Sequence, residues 1–366
     1  MTIITTRHGW LQELERLSPV VASFGLRAKL GDDDYGAASK SPNPDALNLA
    51  SSAEHVEAMA RCFELLHANN ADSAMIEKSV KDLTSRNAYG AFSELSVYLW
   101  LLENKIPFEP QAAMTGADIL NPNGSDLDGR MGLHSGVYFD VKGFGFRECL
   151  IKALNARLSK DFPNSFVAIE GNWDAPMAEL SDLLSAKYDA LRTELNAKQR
   201  AKRGGVDVTL RAPSPVQVTH NTSNPYELAE QNASYAFSYA KQFTRHAPFI
   251  LVFVIHPWFS GGWLHNEFGG FILDFERAFA RRTFLQFRND ATRIFSVSKG
   301  AAGGMLSGLA FFNAWRGQPA QPGAHFRLFI NPLATNPISD LALDEFRFGF
   351  GAQHDLEIVR FDHDVY

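Results

Sequence analysis

Charged residues alternate along two short hydrophobic stretches that are separated by a turn with glycine at both ends. Asp126 and Asp128 lie in the first stretch, Asp140 and Lys142 lie in the second, and residues 132–136 connect them. This pattern predicts a β-hairpin, in which side chains two residues apart share one face of a strand. With the turn centred on its middle residue, Asp128 lies opposite Asp140 and Asp126 lies opposite Lys142.

The chemistry of this hairpin depends on two facing carboxylates. Directly opposed residues on antiparallel strands have Cβ atoms about 4.5–5.5 Å apart, and like charges at that separation repel each other. Either a divalent cation or the ammonium of Lys142 must offset the repulsion between Asp128 and Asp140. Carboxylate oxygens favour Mg²⁺, with Mn²⁺ as its substitute, and Mg²⁺ keeps water or substrate phosphate in its other positions. The residues therefore predict metal-assisted cleavage of phosphodiester bonds.

A helix and a strand are predicted ahead of the hairpin. The stretch 88–103 is apolar at most positions, which predicts a helix buried against a sheet, and it carries Glu94. The stretch 105–111 is predicted as the first strand. A buried carboxylate without a partner is unfavourable. The side chain of Glu94 therefore either points toward the hairpin carboxylates or lies on the one solvent-exposed edge of its helix.

This order of a glutamate-bearing helix, a hairpin aspartate and then Asp140-Val-Lys142 resembles the PD-(D/E)xK nuclease superfamily. The resemblance implies an α/β fold with a restriction-endonuclease-like mixed central sheet flanked by helices, a helical N-terminal extension and inserted elements. It implies that Asp128 and Asp140 hold the metal, with Glu94 binding it directly or through water. Lys142 would orient the attacking water and stabilise charge on the scissile phosphate. Asp126 is the rival ligand to Asp128 if the register differs.

The resemblance covers residues 88–145, with a weaker continuation to residue 256, and two positions depart from the family's pattern. Ser125 stands where the family has proline before the first aspartate, and aspartate replaces the commoner glutamate at position 140. Neither change removes a ligand. The alternative to a metal site is a surface hairpin whose acidic face is neutralised by Lys142.

The composition of the chain is that of an ordered, water-soluble protein. Its 366 residues are 45% hydrophobic and 21% charged and include 29 phenylalanines, which is ample for a hydrophobic core. No run of 18 apolar residues is present, and the first residues lack the layout of a signal peptide. The two cysteines, Cys62 and Cys149, have neither a disulfide framework nor zinc-ligand spacing. These features predict a cytoplasmic protein with no membrane partner.

Charge gives a weaker indication of the partner. The formal net charge is −6, whereas phosphate contacts require lysine and arginine. Two local basic runs could supply phosphate contacts despite the negative net charge. Each run is either a surface that binds along a phosphate backbone or a solvated helix face. The candidate nucleic-acid-binding residues in these runs are Lys198, Arg200, Lys202, Arg203, Arg281 and Arg282. DNA is the expected partner, while RNA and a homodimeric state stay open.

The remaining pattern divides the chain into three parts. Residues 1–87 are predicted to form a helical N-terminal extension. Residues 88–256 form a nuclease-like core with an insertion at 147–223, and residues 257–366 form a C-terminal α/β extension packed on the core.

Three further elements are predicted after the hairpin. Met177 to Arg203 has the apolar spacing of one long amphipathic helix, which a glycine pair ends. Asn224 to Phe243 is predicted as a helix, and a fully buried central strand follows over 249–255. Gln231 and Gln242 on the helix could contact the reacting strand or be solvated.

Together these features predict a metal-dependent endonuclease that cleaves phosphodiester bonds, with DNA as the expected substrate and a restriction or defence role. The alternative is a catalytically inactive protein of nuclease fold that serves nucleic-acid binding or assembly. Net acidity and the long insertion favour the alternative, whereas the order of carboxylates and lysine favours the enzyme.

Overall fold

The computed structural model describes residues 4–35, 44–85, 88–132, 136–144, 147–171, 177–203, 206–212, 224–256, 271–314, 325–348 and 356–361. The chain forms two compact units. The first unit comprises Met1–Gly143, Ala233–Ile255 and Phe279–Tyr366, and the second comprises Phe144–Asn232 and His256–Ala278. The glycine-bearing turn predicted at 132–136 falls partly outside the described residues, since 133–135 are not among them.

The elements follow one another in this order. The first part contains α1 (Arg7–Leu17), α2 (Pro19–Ser23), α3 (Leu26–Lys29), α4 (Pro44–Ser51), α5 (Ala53–Ala68), α6 (Ser73–Leu83), α7 (Ala88–Glu103), β1 (Phe108–Met114), β2 (Ser125–Met131), β3 (Val137–Gly143), α8 (Arg147–Asp161) and β4 (Phe166–Gly171). The chain continues with α9 (Met177–Leu184), α10 (Tyr188–Lys198), β5 (Arg200–Arg203), β6 (Val206–Arg211), α11 (Pro225–Asn232), a 3₁₀ helix (Ala233–Gln242) and β7 (Phe249–Ile255). It ends with α12 (Phe271–Leu285), β8 (Arg293–Ile294), β9 (Val297–Ser298), α13 (Lys299–Met305), β10 (Gly308–Asn313), β11 (Phe326–Ile330), α14 (Asp340–Phe348) and β12 (Leu356–Arg360).

Residues before α7 form helices, as the sequence predicts for the N-terminal part. Their starts are fixed by short polar side chains that accept hydrogen bonds from otherwise unpaired backbone N–H groups. These capping residues are Thr6, Ser18, Ser52 and Asp72. No helix in the described ranges is long and apolar enough to cross a lipid bilayer.

A mixed seven-stranded sheet dominates the first unit. Its strand order is β1-β2-β3-β7-β10-β11-β12, with parallel pairing of β3 with β7 and of β7 with β10. All seven residues of β7 are buried, which confirms the predicted central strand. Strands from the predicted C-terminal extension therefore belong to the same sheet as the hairpin.

Helices cover both faces of this sheet. Trp100 of α7 stacks on Phe326, with ring centroids 4.6 Å apart, and also contacts Phe312. Phe279 of α12 packs edge-on against Phe311. Because neighbouring residues of a strand point to opposite faces, α7 and α12 lie on opposite sides of β10. The chain is thus a mixed α/β protein with a large central sheet flanked by helices.

The second unit has its own sheet and core. Strands β4, β6 and β5 form a three-stranded antiparallel sheet, and helices α8, α9 and α10 contribute leucines to a buried cluster that includes Leu158, Leu183 and Leu191. The prediction of one helix over 177–203 is wrong. Gln199 takes a positive φ of 57° that ends α10, and burial of Ala201 against β6 makes Arg200–Arg203 a strand.

Two other element boundaries differ from the prediction. Lys105 has a φ of +57° and Ile106 N–H closes the end of α7 by donating to the Leu101 carbonyl. The first strand therefore begins at Phe108 and not at Lys105. The predicted helix over 224–243 is α-helical only to Asn232 and then tightens into the 3₁₀ helix.

Candidate active site

The hairpin strands β2 and β3 pair only at their turn end. The antiparallel pairs are Gly129 with Phe139, Arg130 with Tyr138, and Met131 with Val137. The same register, continued past the last pair, would set Asp128 opposite Asp140 as predicted, but the two strands are no longer paired at that position. At this point β2 continues to pair with β1, whereas β3 pairs with β7. The two strands therefore separate where the two carboxylates begin.

Side chains replace the backbone bonds that are missing in the gap between β2 and β3. The Val141 N–H donates to Oδ2 of Asp128 over 2.6 Å. The hydroxyl of Tyr98, which reaches in from α7, donates to the backbone carbonyl of Asp128. Buried backbone groups need such partners, so these bonds fix both the backbone and the carboxylate of Asp128.

Asp140 is the most enclosed acid of the site. Its side chain has no solvent exposure, and its Oδ2 lies 2.6 Å from Nζ of Lys142. Oδ2 has no well-directed hydrogen bond within the described residues, so this contact is an ion pair. Oδ1 accepts a 3.2 Å hydrogen bond from Nε2 of Gln242, the last residue of the 3₁₀ helix. Asp140 is thus held by one cation and one amide.

Side chains from helices on both faces of the sheet contribute to this site. By alternation along β3, Asp140 and Lys142 share a face with Phe253, their neighbour on β7. The 3₁₀ helix covers that face, since Tyr235 stacks on Phe253 with ring centroids 5.8 Å apart. Helix α7 covers the other face, where Tyr98 packs against Phe139. The gap between β2 and β3 lets Tyr98 reach Asp128 from the α7 side.

Glu94 lies one turn before Tyr98 on α7, and its Oε1 is 2.7 Å from the Tyr98 hydroxyl. A hydroxyl carries one hydrogen, and the Asp128 carbonyl also contacts that hydroxyl. Both contacts are fully satisfied when Glu94 is protonated and donates to the Tyr98 oxygen. The structure therefore places Glu94 toward the hairpin carboxylates and not at a wet edge of its helix.

The electrostatic environment favours protonated acids in the absence of a metal ion. Burial, followed by the nearby charge of Asp128, raises the pKa of Glu94 to about 7. The same two causes, in the same order, raise the pKa of Asp140 to about 8, although Lys142 opposes the shift. Three acids close together in a largely buried site do not all ionise readily without a counter-charge. The site therefore has an excess of negative charge that protons or cations can neutralise.

Lys142 stays charged in this environment. Burial acts to lower its pKa, but the carboxylates of Asp140, Asp128 and Glu94 outweigh burial and the pKa is raised. Its Nζ atom also lies 5.7 Å from the centre of the Tyr239 ring, and the Tyr239 hydroxyl is 2.7 Å from that of Tyr235. Lys142 is therefore a fixed ammonium with an aromatic wall beside it.

The donor atoms fit a hard divalent cation, although the side chains are not pre-arranged around one. Among the described residues, no three His, Cys, Asp or Glu side chains are positioned as a metal-binding group. Asp128 and Asp140 are hard oxygen donors on facing positions, and Mg²⁺ needs only one or two protein carboxylates. The buried Oδ2 of Asp140, which lacks a directed hydrogen bond, is suited to such an ion.

Other predicted residues lie outside this cluster. Asp126 is exposed on β2. The basic run of the second unit is locally neutralised, because Arg200 pairs with Asp207, while Lys198 and Arg203 both pair with Glu194. The remaining basic candidates are Lys202, which is exposed on β5, and Arg281 and Arg282, which are half-buried on α12. A role of these residues in binding phosphate stays a prediction.

The sequence offers little indication that Tyr98 and Gln242 contribute to the site. Tyr98 is four residues after Glu94, a spacing that places both on one side of a helix, but nothing in the chain marks its hydroxyl as bonded to β2. Gln242 was a candidate only as a residue that could contact the reacting strand, and the structure brings it to Asp140. The side chain of Gln231 lies outside the described residues.

Comparison with protein-family models, with curated proteins and with solved structures found no match for this chain. The class defined by the coordinates is accordingly that of a mixed α/β protein with a large central sheet and a buried carboxylate–lysine cluster at the point where two strands separate.

Proposed function

We propose that this chain is a metal-dependent endonuclease that cleaves phosphodiester bonds in DNA, with a core of the restriction-endonuclease-like PD-(D/E)xK type. The observation that carries the proposal is the ion pair between Asp140 and Lys142 on β3. It lies beside the adjacent strand β2, which carries Asp128, and near helix α7, which carries Glu94. This arrangement combines acidic oxygen donors with one fixed ammonium, which is what in-line attack on a phosphate diester requires.

Each residue of the cluster has a distinct proposed role. Asp128 and Asp140 would hold Mg²⁺ or Mn²⁺, with Glu94 binding directly or through water, and the bound ion would acidify water and neutralise phosphate charge. Lys142 would orient the attacking water and stabilise negative charge on the scissile phosphate. Asp128 is favoured over Asp126 as the ligand because its carboxylate contacts β3, whereas Asp126 faces solvent.

A supercoiled-plasmid nicking assay tests this function. Wild-type protein is expected to nick or linearise DNA with Mg²⁺ or Mn²⁺ and to be inactive in EDTA. Asp140→Asn keeps the shape of the buried side chain and is expected to abolish cleavage. Glu57→Gln, which neutralises an exposed carboxylate on α5, is the matched control and should cleave like wild type. Metal-dependent cleavage by Asp140→Asn would remove the proposal.

A second candidate is a non-catalytic nucleic-acid-binding or assembly protein of the same fold. It is favoured by the ion pair between Asp140 and Lys142, which neutralises the buried acid without a metal, and by the net charge of −6. Isothermal titration with Mg²⁺ and Mn²⁺ separates the two. Nucleic-acid binding without divalent-ion binding or cleavage would support this second candidate.

A further inference from the structure

The short hairpin β8–β9 presents a phenylalanine in an unfavourable backbone conformation. Its two-residue turn consists of Phe295 and Ser296, and Phe295 has a φ of +53°. Hairpin turns of this length need positive φ at the first turn position, which glycine, asparagine and aspartate tolerate and bulky residues do not. Phenylalanine at this position therefore strains the local backbone, and the surrounding structure holds it in that conformation.

The ring of Phe295 also receives little compensation from burial. Half of the residue, 50%, is exposed, and it is one of three large hydrophobic residues exposed by half or more within the described part of the chain. The strained backbone at Phe295 costs free energy in the unbound protein, and strain of this kind is concentrated at ligand-binding positions.

The surroundings of Phe295 are basic. Arg293 precedes it by two residues and donates from Nε to the Phe295 carbonyl over 3.1 Å, and Arg288 is exposed just before the hairpin. The neighbouring acid Asp290 accepts from the Thr292 N–H over 2.8 Å and is thus tied into its own turn. An exposed aromatic ring that follows two exposed arginines closely in the chain suits a nucleobase with its phosphates.

The hairpin is anchored to the segment that serves the carboxylate–lysine cluster. Arg245 donates from Nη2 to Oγ of Ser296 over 3.0 Å and from Nε to the Ile119 carbonyl. Arg245 follows Gln242 by three residues, so their Cα atoms are at most about 11 Å apart, and Gln242 contacts Asp140. Both features lie in the same compact unit.

We propose that the β8–β9 turn is a base-stacking element, in which the Phe295 ring stacks on an unpaired nucleobase of the bound nucleic acid while Arg288 and Arg293 contact its phosphates. This proposal rests on the proposed nuclease function for the identity of the partner. It makes a separate prediction, because stacking contributes to binding whether or not the metal site is active.

Fluorescence anisotropy in EDTA tests the proposal without any cleavage. The probes are labelled single-stranded DNA, and duplex DNA with and without a frayed end. Phe295→Asn relieves the positive-φ strain and removes the ring, so its Tm is expected to be kept or raised, while its affinity for single-stranded DNA falls about 5- to 150-fold. Phe295→Trp is expected to retain affinity and to show tryptophan quenching on binding. Arg288→Gln should reduce the salt dependence of binding.

Leu341→Ala is the matched control, since it removes another large exposed hydrophobic side chain, 58% exposed, from the same unit. It is expected to bind like wild type. Unchanged affinity of Phe295→Asn would overturn the proposal, as would a loss of self-association without any loss of DNA binding, which would assign the ring to a protein interface. Failure of the nuclease proposal would appear differently, as normal DNA binding by wild type with no metal-dependent cleavage.

Discussion

The Nζ atom of Lys142 lies 2.6 Å from Oδ2 of Asp140, two residues away on the same face of β3. Asp140 has no exposed surface, and Lys142 keeps 21% of its side chain in contact with solvent. Each group is therefore the counter-charge of the other whenever Asp140 is ionised and no metal binds. A cation at Asp140 would release the ammonium of Lys142 toward a substrate phosphate, so the ion pair and the proposed catalysis use the same lysine in two ways.

Replacement of Lys142 by methionine tests both uses. Removal of one partner of a buried ion pair costs about 3–5 kcal/mol when the other must stay charged. Asp140, whose pKa is already about 8, can take up a proton instead, so the free energy of unfolding should fall at pH 8 by less than that amount. The loss should be smaller still at pH 5.5, where Asp140 is protonated in both proteins. Cleavage should fall by about 10²-fold or more, as expected for loss of a charge that stabilises the transition state.

Urea unfolding and plasmid nicking measure these two effects. Lys160→Met, at an exposed position of α8, is the control and should change stability by less than about 0.5 kcal/mol. Cleavage at the wild-type rate by Lys142→Met would exclude Lys142 from the reaction.

The stability of the metal-free protein is expected to decrease from pH 5 to pH 8. The pKa values of Glu94 and Asp140 are raised to about 7 and about 8, whereas unfolded carboxyl groups titrate near about 4. The folded state therefore holds more protons than the unfolded state in this window, and stability is lost as pH rises through the folded pKa values. Mg²⁺ bound as proposed would replace those protons and should restore stability at pH 8.

Thermal unfolding in EDTA and in Mg²⁺, at pH 5.5 and pH 8, gives the measurement. Asp140→Asn should flatten the pH dependence, because asparagine resembles the neutral acid and does not titrate. A metal-free protein that is more stable at pH 8 than at pH 5.5 would contradict the burial of these acids.

The hydroxyl of Tyr98 is expected to matter for activity as well as stability. Tyr98→Phe removes the donor to the Asp128 carbonyl and the partner of Glu94, so it should lower the free energy of unfolding by about 1–3 kcal/mol and lower the rate of cleavage. Tyr35→Phe provides a matched control, since the buried Tyr35 hydroxyl also donates to a backbone carbonyl, that of Thr84.

Equal stability losses in the two tyrosine variants, with reduced cleavage only in Tyr98→Phe, would identify Tyr98 as a positioning residue. The KM for DNA should stay near wild type while kcat falls, because Tyr98 acts through Asp128 and Glu94. Equal cleavage by both variants would limit Tyr98 to a structural role.

Gly129 marks the last paired position before the strands separate. A Cβ atom there would lie 2.6 Å from Cζ of Phe139 and 2.8 Å from the Glu109 carbonyl oxygen, so Gly129→Ala should destabilise the protein by about 1–3 kcal/mol through overpacking. Gly90→Ala is the control, because its Cβ meets no atom within 4 Å on the exposed side of α7. It should stabilise the helix by about 0.5–1 kcal/mol. Urea unfolding of both variants measures the difference, and a neutral Gly129→Ala would contradict this packing.

The sequence by itself determined the local elements that carry the cluster. Alternation fixed the faces of β2 and β3, and glycine at both ends of the turn fixed the register that sets Asp128 opposite Asp140. The apolar run of α7 and that of β7, whose seven residues are all buried, could equally be predicted from the sequence. These features depend on neighbours in the chain, which is why a single sequence was enough to predict them.

Only the tertiary structure decided where the strands part and what fills the gap. The hydroxyl of Tyr98 meets Asp128 30 residues away, and the amide of Gln242 meets Asp140 102 residues away. Such contacts are set by how helices pack on the two faces of the sheet, and local periodicity holds no information about them. The strand at Arg200–Arg203 has the same cause, because pairing with β6 outweighed the helical spacing that precedes it.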